Sequence, residues 1–218
     1  MSEKKANPIQ GIKSVPLLPL ENALLLPRAV MPLQLFEPRY LQLFSDVMGG
    51  NRMIGVIQPA IGDESDNPAL SKVGTIGRIT HFEELEDERF FVGVTGVSRF
   101  ELLSDVQPAE KLYRVGELDF SRFGSDAIAG FGENQVDRDR FVNLLKSYAE
   151  FAEFELDWDE INEAGLEDLI NSCSMASPYP ARERQALLEA ETLATRAEML
   201  MAFAEIEMSR KDANITMQ

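Results

Sequence analysis

The first half of the chain consists of short apolar runs separated by prolines and glycines, a pattern typical of short strands. Two of these runs, residues 15–20 and 32–36, contain prolines, which cannot donate a backbone hydrogen bond; such strands are expected to be short, edge-like or bulged. A helix is predicted to begin at Pro38, whose φ suits a first turn, with the Glu37 carboxylate near the positive end of the helix dipole. Apolar residues then recur at helical spacing, and two glycines end the helix at 49–50.

Further strands are predicted by β-branched and aromatic runs, two of them forming a hairpin with an acidic tip at residues 83–88. These strands cover residues 53–58, 73–82, 89–103 and 112–118. Gly93 and Gly96 interrupt the longest strand, and a glycine within a strand usually marks a bulge or a barrel corner. The first half is therefore predicted to be a small, strongly bent sheet or barrel with one embedded helix.

After residue 118 the pattern changes to that of helices. Residues 119–135 are glycine-rich like a linker, although their phenylalanines at 120, 123 and 131 indicate that the segment packs down. Apolar positions then recur at helical spacing over four segments, which are too amphipathic to stand alone and should form a bundle. The four segments are residues 137–151, 163–175, 180–190 and 193–208.

Together these patterns predict an α+β protein with strands first and helices second. We expect a β lobe at residues 12–118, a packed linker at 119–135 and a helical lobe at 136–210. The periodicity alone does not specify the topology of the sheet.

The chain is strongly acidic, with 37 acidic and 21 basic side chains and a net charge of −16. Such a charge repels phosphate backbones, so no nucleic-acid partner is expected. A single cysteine excludes an internal disulfide and fits a reducing cytoplasm. The polar amino terminus does not resemble a secretory signal, and no apolar run approaches the ~18 residues of a membrane span. We therefore expect a soluble, cytoplasmic protein without a membrane partner.

Four segments carry a resemblance that extends over most of the chain. They are Pro32-Leu33-Gln34-Leu35-Phe36-Glu37-Pro38-Arg39-Tyr40, Val73-Gly74-Thr75-Ile76-Gly77-Arg78-Ile79, Val94-Thr95-Gly96-Val97-Ser98-Arg99-Phe100 and Glu183-Arg184-Gln185-Ala186-Leu187-Leu188-Glu189. In this order they resemble the amino-terminal domain of Lon proteases, and more closely the stand-alone bacterial proteins built from it. The resemblance implies a PUA-like β lobe, shaped as a bent sheet or pseudo-barrel, followed by an α-helical bundle. It also implies a part in substrate recognition and protease assembly.

Neither catalytic part of a full-length Lon enzyme leaves a trace in this sequence. A Walker A loop needs a Gly-Lys-Ser/Thr segment around the phosphates, and the chain contains no Gly-Lys dipeptide. A Ser-Lys peptidase needs a lysine near its nucleophile, but Lys13 and Lys72 adjoin serines as strand neighbours, whose side chains point to opposite faces. We expect no enzymatic activity and no cofactor, and a peptidase label would derive from a domain that this sequence lacks.

His81 is the only histidine, and metal sites normally use several imidazole or thiolate ligands. It is predicted either to lie on a strand surface or to be a structural histidine with its hydrogen bonds satisfied, and no metal site is expected. Cys173 lies on an apolar helix face and is predicted to be a buried, inert thiol.

Five residues are candidates for contact with a bound peptide: Phe36, Glu37, Arg39, Tyr40 and Tyr179. A cation in the first turn of a helix is mildly disfavoured by the dipole, so Arg39 should have a specific partner. That partner is either an internal carboxylate, such as Glu37 or one across the lobe boundary, or a ligand. The Pro178-Tyr179-Pro180 turn is either a helix-capping connection or a binding feature.

The sequence therefore predicts a non-catalytic module that recognises unfolded or extended apolar polypeptide, or a Lon protease partner, in a cleft between the lobes. The alternative is a small-molecule receptor or an uncatalogued enzyme that uses the same cleft. RNA binding, which other PUA-like folds perform, is opposed by the charge.

Overall fold

A computed structural model describes residues 9–65, 67–87 and 89–216, with the backbone alone described for 211–216. The strands are β1 (Ser14–Pro19), β2 (Val30–Leu35), β3 (Met53–Pro59), β4 (Leu70–Glu84), β5 (Phe90–Val106) and β6 (Val115–Asp119). The helices are α1 (Pro38–Met48), α2 (Arg138–Ala152), α3 (Trp158–Glu163), α4 (Leu166–Ala176), α5 (Ala181–Glu189) and α6 (Leu193–Thr216). Two 3-10 helices, Ser121–Ala127 and Glu133–Gln135, lie between β6 and α2. None of the helices in this described part of the chain combines the length and apolar composition needed to cross a membrane.

The six strands form one mixed sheet in the order β2-β5-β4-β3-β1-β6, and β5 also pairs with β6. This second pairing, with Leu102 opposite Leu118, closes five strands into a ring and leaves β2 at the edge. The α+β class predicted from the sequence is thus confirmed, and the sheet closes as expected for a pseudo-barrel. Pro32 lies in the edge strand, opposite Gly93. The other strand in which prolines were expected to have an effect, β1, is short but internal, parallel to β3 and antiparallel to β6.

The interior of the ring is apolar and includes residues from five strands. Its buried cluster consists of Val15, Leu17, Met53, Ile57, Ile76, Phe100 and Leu118. Phe120 packs against this cluster, with its ring centroid 6.5 Å from that of Phe100, and Phe123 is also buried. Phe131, which was expected to pack down with them, is 52% exposed because it lies between two glycines with positive φ, at a turn.

The segment between β1 and β2 passes close to β5 at Gly96. The Gly96 N–H donates to the Ala29 carbonyl at 2.9 Å, and the Arg28 N–H donates to the Gly96 carbonyl at 2.8 Å. A Cβ on residue 96 would lie 2.1 Å from the Leu26 carbonyl oxygen, so only glycine fits this approach. The segment also contributes three fully buried leucines, at positions 24–26.

The helices after β6 have ends set by capping side chains and by residues with extended backbone. Asp137 caps α2 by accepting from the Arg140 N–H, as expected for an aspartate at a helix start. The helix predicted at 163–175 corresponds to α4, and the short helix α3 before it was not predicted; extended Ala164 and Gly165, at ψ 144° and 147°, separate the two. Asp157 caps the first of the two by accepting from two backbone N–H groups.

Internal contacts divide the chain into two compact units. The first holds the described residues up to Ile128 together with Pro178–Leu188, and the second holds Ala129–Ser177 and the described residues from Glu189 onward. The predicted helical lobe at 136–210 differs from this division, since most of α5 belongs with the sheet. The reason is a set of buried amide contacts: Gln58 donates to the Gln185 side chain at 3.1 Å, and Gln185 donates to the Val73 carbonyl at 3.1 Å.

Candidate functional site

The segment that joins β2 to α1 presents an exposed aromatic ring. Phe36 follows the last residue of β2 and is 60% exposed. Glu37 is the N-cap residue, but its side chain makes no capping hydrogen bond. Instead it accepts from Arg39, whose Nε and Nη2 lie 3.0 and 2.8 Å from Oε2 of Glu37. The sequence allowed Arg39 an internal carboxylate or a ligand as its partner. In the structure, Arg39 pairs with the internal carboxylate of Glu37.

Tyr40 anchors this helix start to the sheet. It is 4% exposed, and its hydroxyl donates to the Pro19 carbonyl at 2.7 Å. Burial raises the pKa of Tyr40, an effect partly offset by the Arg39 guanidinium. That guanidinium lies 4.6 Å from the centroid of the Tyr40 ring. Phe36, Glu37 and Arg39 are therefore at least partly exposed, whereas Tyr40 is buried; their contact with a peptide stays a prediction.

Tyr179 lies in the segment before α5. It is half-buried, and its carbonyl accepts from Nε of Arg184 at 2.8 Å. This hydrogen bond fits the interpretation of Pro178-Tyr179-Pro180 as a helix-capping turn. A shared surface for Tyr179 and the start of α1 stays a prediction.

A second exposed ring lies beside α1, on the hairpin strand β4. Phe82 is 46% exposed, and its ring lies 5.8 Å from that of Phe44 on α1. Phe44 also stacks at 4.5 Å on Phe90 of β5. The helix therefore covers the end of the hairpin but leaves apolar surface at Phe36 and Phe82.

Replacing Arg39 by alanine should lower the free energy of unfolding by only about 0.5 kcal/mol. The side chains of Arg39 and Glu37 are 47% and 39% exposed, and solvent-exposed ion pairs contribute little. Urea denaturation of both proteins measures the difference. A loss above ~2 kcal/mol would mean that Arg39 has a buried structural role.

One buried charged pair was not anticipated from the sequence. Arg99 of β5 and Asp126 of the first 3-10 helix are 3% and 6% exposed, with Nη2 2.7 Å from Oδ1 and Nε 3.0 Å from Oδ2. Arg99 also donates from Nη1 to the Leu188 carbonyl at 3.1 Å, and its guanidinium lies 4.3 Å from the Phe123 ring. Arg99 is the one basic residue of β5, which was the available signal, but the sequence could not identify a partner 27 residues away. The pair joins β5, the 3-10 helix and α5.

The two residues considered for metal or thiol chemistry lie in ordinary surroundings. His81 is exposed on β4, with its ring 6.3 Å from that of Phe91. Burial raises the pKa of Cys173 to about 11, so the thiol stays protonated at neutral pH, which makes it a poor nucleophile. Within residues 9–65, 67–87 and 89–210, no three His, Cys, Asp or Glu side chains group closely enough to hold a metal ion.

Comparison with known families identifies the fold built around these residues. Residues 14–205 match the family described as the ATP-dependent protease La (LON) substrate-binding domain. The chain belongs to this family. The Lon match includes the start of α1, the Gly96 and Arg99 segment and α5, the regions that carried the resemblance in the sequence.

Curated Lon relatives are similar along most of the chain. Lon protease 2 of Sorangium cellulosum is 28% identical over 96% of the chain, and the Lon protease of Flavobacterium johnsoniae is 26% identical over 90%. The chain spans about a quarter of the length of these relatives, 27% and 24% respectively.

Solved Lon domains have the same fold. The Lon N-terminal domain protein from Xanthomonas campestris superposes with a TM-score of 0.62 at 24% identity, covering 88% of this chain and 98% of that one. The N-terminal domain of the Mycobacterium avium complex Lon protease superposes with a TM-score of 0.64 at 16% identity and the same coverage.

Proposed function

We propose that this chain is a polypeptide-binding module without catalytic activity of its own. It recognises unfolded or extended apolar polypeptide, or a Lon protease partner, through the surface at the start of α1. The observation that carries the proposal is the 60% exposure of Phe36 on the connection between β2 and α1. The family description, a substrate-binding domain, supports the same class of ligand.

The geometry around Phe36 suits capture of an apolar side chain. Pro38 restricts the backbone on one side, and the Tyr40 hydroxyl ties the helix to β1, so the backbone next to Phe36 is held in place before a ligand binds. Burying one phenylalanine ring contributes about 2 kcal/mol to binding. The Glu37–Arg39 pair borders the ring with a donor and an acceptor for a peptide backbone.

The test measures binding of an unfolded protein to the full chain. Reduced, carboxymethylated α-lactalbumin serves as the unfolded probe and native α-lactalbumin as its folded control. We expect only the unfolded form to bind, and Phe36→Ser to weaken its binding about tenfold. Leu103→Ser is the matched control, because Leu103 is 65% exposed on β5 away from this helix start.

Three results would oppose the proposal. Equal binding of both forms of α-lactalbumin would remove the preference for unfolded chains. If the unfolded form does not bind at roughly 100 μM, the proposal of a polypeptide-binding module is wrong. Equal losses in the Phe36 and Leu103 variants would remove the assignment to the start of α1.

A further inference from the structure

The second unit has an aromatic cluster at the end of α2. Its members are Tyr148, Phe151 and Phe154, and both phenylalanine ring centroids lie 6.0 Å from that of Tyr148. Phe154 is 43% exposed, and the other two rings are half-buried. Apolar rings grouped at a surface are a feature of interaction sites.

The backbone holds this cluster in place. Glu153 ends α2 in the left-handed conformation, with φ 57°, which costs energy for a residue other than glycine. This turn brings Phe154 back toward the helix, where its N–H donates to the Ala149 carbonyl at 3.2 Å. The Tyr148 hydroxyl donates to Glu207 of α6 at 2.8 Å, which fixes the opposite side of the cluster. The chain therefore keeps Phe154 at the surface by a specific local structure.

Negative charge surrounds the cluster. Residues 148–160 contain no lysine or arginine, and their six carboxylates are all exposed: Glu150, Glu153, Glu155, Asp157, Asp159 and Glu160. Residues 129–177 and 189–210 as a whole carry 17 acidic and five basic side chains. A cation already occupies one edge of this region, since Nζ of Lys146 lies 5.5 Å from the Trp158 ring.

We infer that the aromatic–acidic surface, residues 148–160, docks polypeptide segments that combine lysine or arginine with aromatic or aliphatic residues. The rings supply apolar contact and cation–π partners, while the carboxylates attract the basic side chains and repel acidic ones. This inference rests on the proposed function and names the class of polypeptide selected. A second copy of this chain is disfavoured as the occupant, because two such surfaces would oppose like charges.

The test uses three labelled peptides of equal length with fixed composition. One alternates lysine and phenylalanine, one replaces each lysine by glutamate, and one replaces each phenylalanine by serine. Fluorescence anisotropy with the full chain should give binding for the lysine–phenylalanine peptide and about tenfold weaker binding for each of the others. The affinity for the first peptide should fall as salt is raised, because exposed charges are screened.

Substitutions in residues 148–160 test whether the peptide binds at this surface. Phe154→Ser and the double change Glu150→Lys with Glu155→Lys should each weaken the lysine–phenylalanine peptide about tenfold. Leu103→Ser should bind like the original chain, since Leu103 is exposed in the other unit. Circular dichroism and thermal melting are used to check that each variant is folded.

The outcomes separate this inference from the proposed function. If Phe36→Ser weakens the peptide and Phe154→Ser does not, the inference is wrong and the proposed function stands. If the glutamate–phenylalanine peptide binds as well as its lysine counterpart, selection by charge is wrong. If neither the peptides nor unfolded α-lactalbumin bind, both proposals are wrong. Dimers in sedimentation that Phe154→Ser dissociates would make the second copy the occupant and overturn the inference.

Discussion

Replacing Arg99 by methionine should lower the free energy of unfolding by about 4 kcal/mol, the largest effect that we expect from a single side chain. The change leaves the Asp126 carboxylate 6% exposed without its bidentate partner and leaves the Leu188 carbonyl without the Arg99 donor. Methionine fills a similar space, so the loss of stability comes mainly from the uncompensated charge of Asp126 and only to a small extent from a cavity. Urea denaturation followed by circular dichroism measures it.

Arg122→Met is the matched control. Arg122 also stacks on Phe123, at 5.1 Å, and it pairs with Glu101 at 3.2 Å, but the two side chains are 35% and 38% exposed. Its removal should cost less than about 1 kcal/mol. Similar losses for Arg99 and Arg122 would show that the buried pair has no special role in stability. Replacing Arg99 by methionine together with Asp126 by leucine should recover part of the loss, because no charge then stays buried.

Gly96→Ala should destabilise the protein by about 3 kcal/mol, the upper end of overpacking effects. The added Cβ would lie 2.1 Å from the Leu26 carbonyl oxygen, a backbone atom that cannot rotate away. Moving the segment would also disturb the hydrogen bonds of Gly96 with Arg28 and Ala29. Denaturant unfolding and thermal melting both measure the change.

Gly124→Ala provides the comparison, because nothing lies within 4 Å of a Cβ at that position. It should change stability by less than about 1 kcal/mol, with a small gain possible from the reduced freedom of the unfolded chain. Equal stability of the Gly96 and Gly124 variants would mean that the 20–29 segment can shift at little cost.

Local chemistry explains which elements were predictable from the sequence. Helix α1 begins at Pro38 and ends before two glycines, as the composition indicated. The strands with continuous β-branched runs were predicted equally well from the sequence. Helix α3 was missed because its six residues are too few for a helical repeat of apolar positions, and the extended Ala164 and Gly165 separate it from α4.

Long-range pairing explains what could not be predicted. The amide contacts of Gln185 with β3 and β4, and the pair of Arg99 with Asp126, join residues far apart in sequence that share no local pattern. At the candidate site, the contact of Arg39 with Glu37 was open to prediction because only one residue separates them. The exposure of Phe154 was not, because it depends on a left-handed glutamate.

The position of α5 has a consequence for how this domain can be divided. A fragment ending at Ile128 contains all six strands, yet it lacks the helix that provides the Gln58 partner and one acceptor for Arg99. The second unit is likewise made from two separate stretches of chain. Cutting the chain at a single point between β6 and α5 would therefore leave the first unit with an incomplete core. Such a chain is expected to be inherited and engineered as one indivisible piece, whatever is fused to its ends.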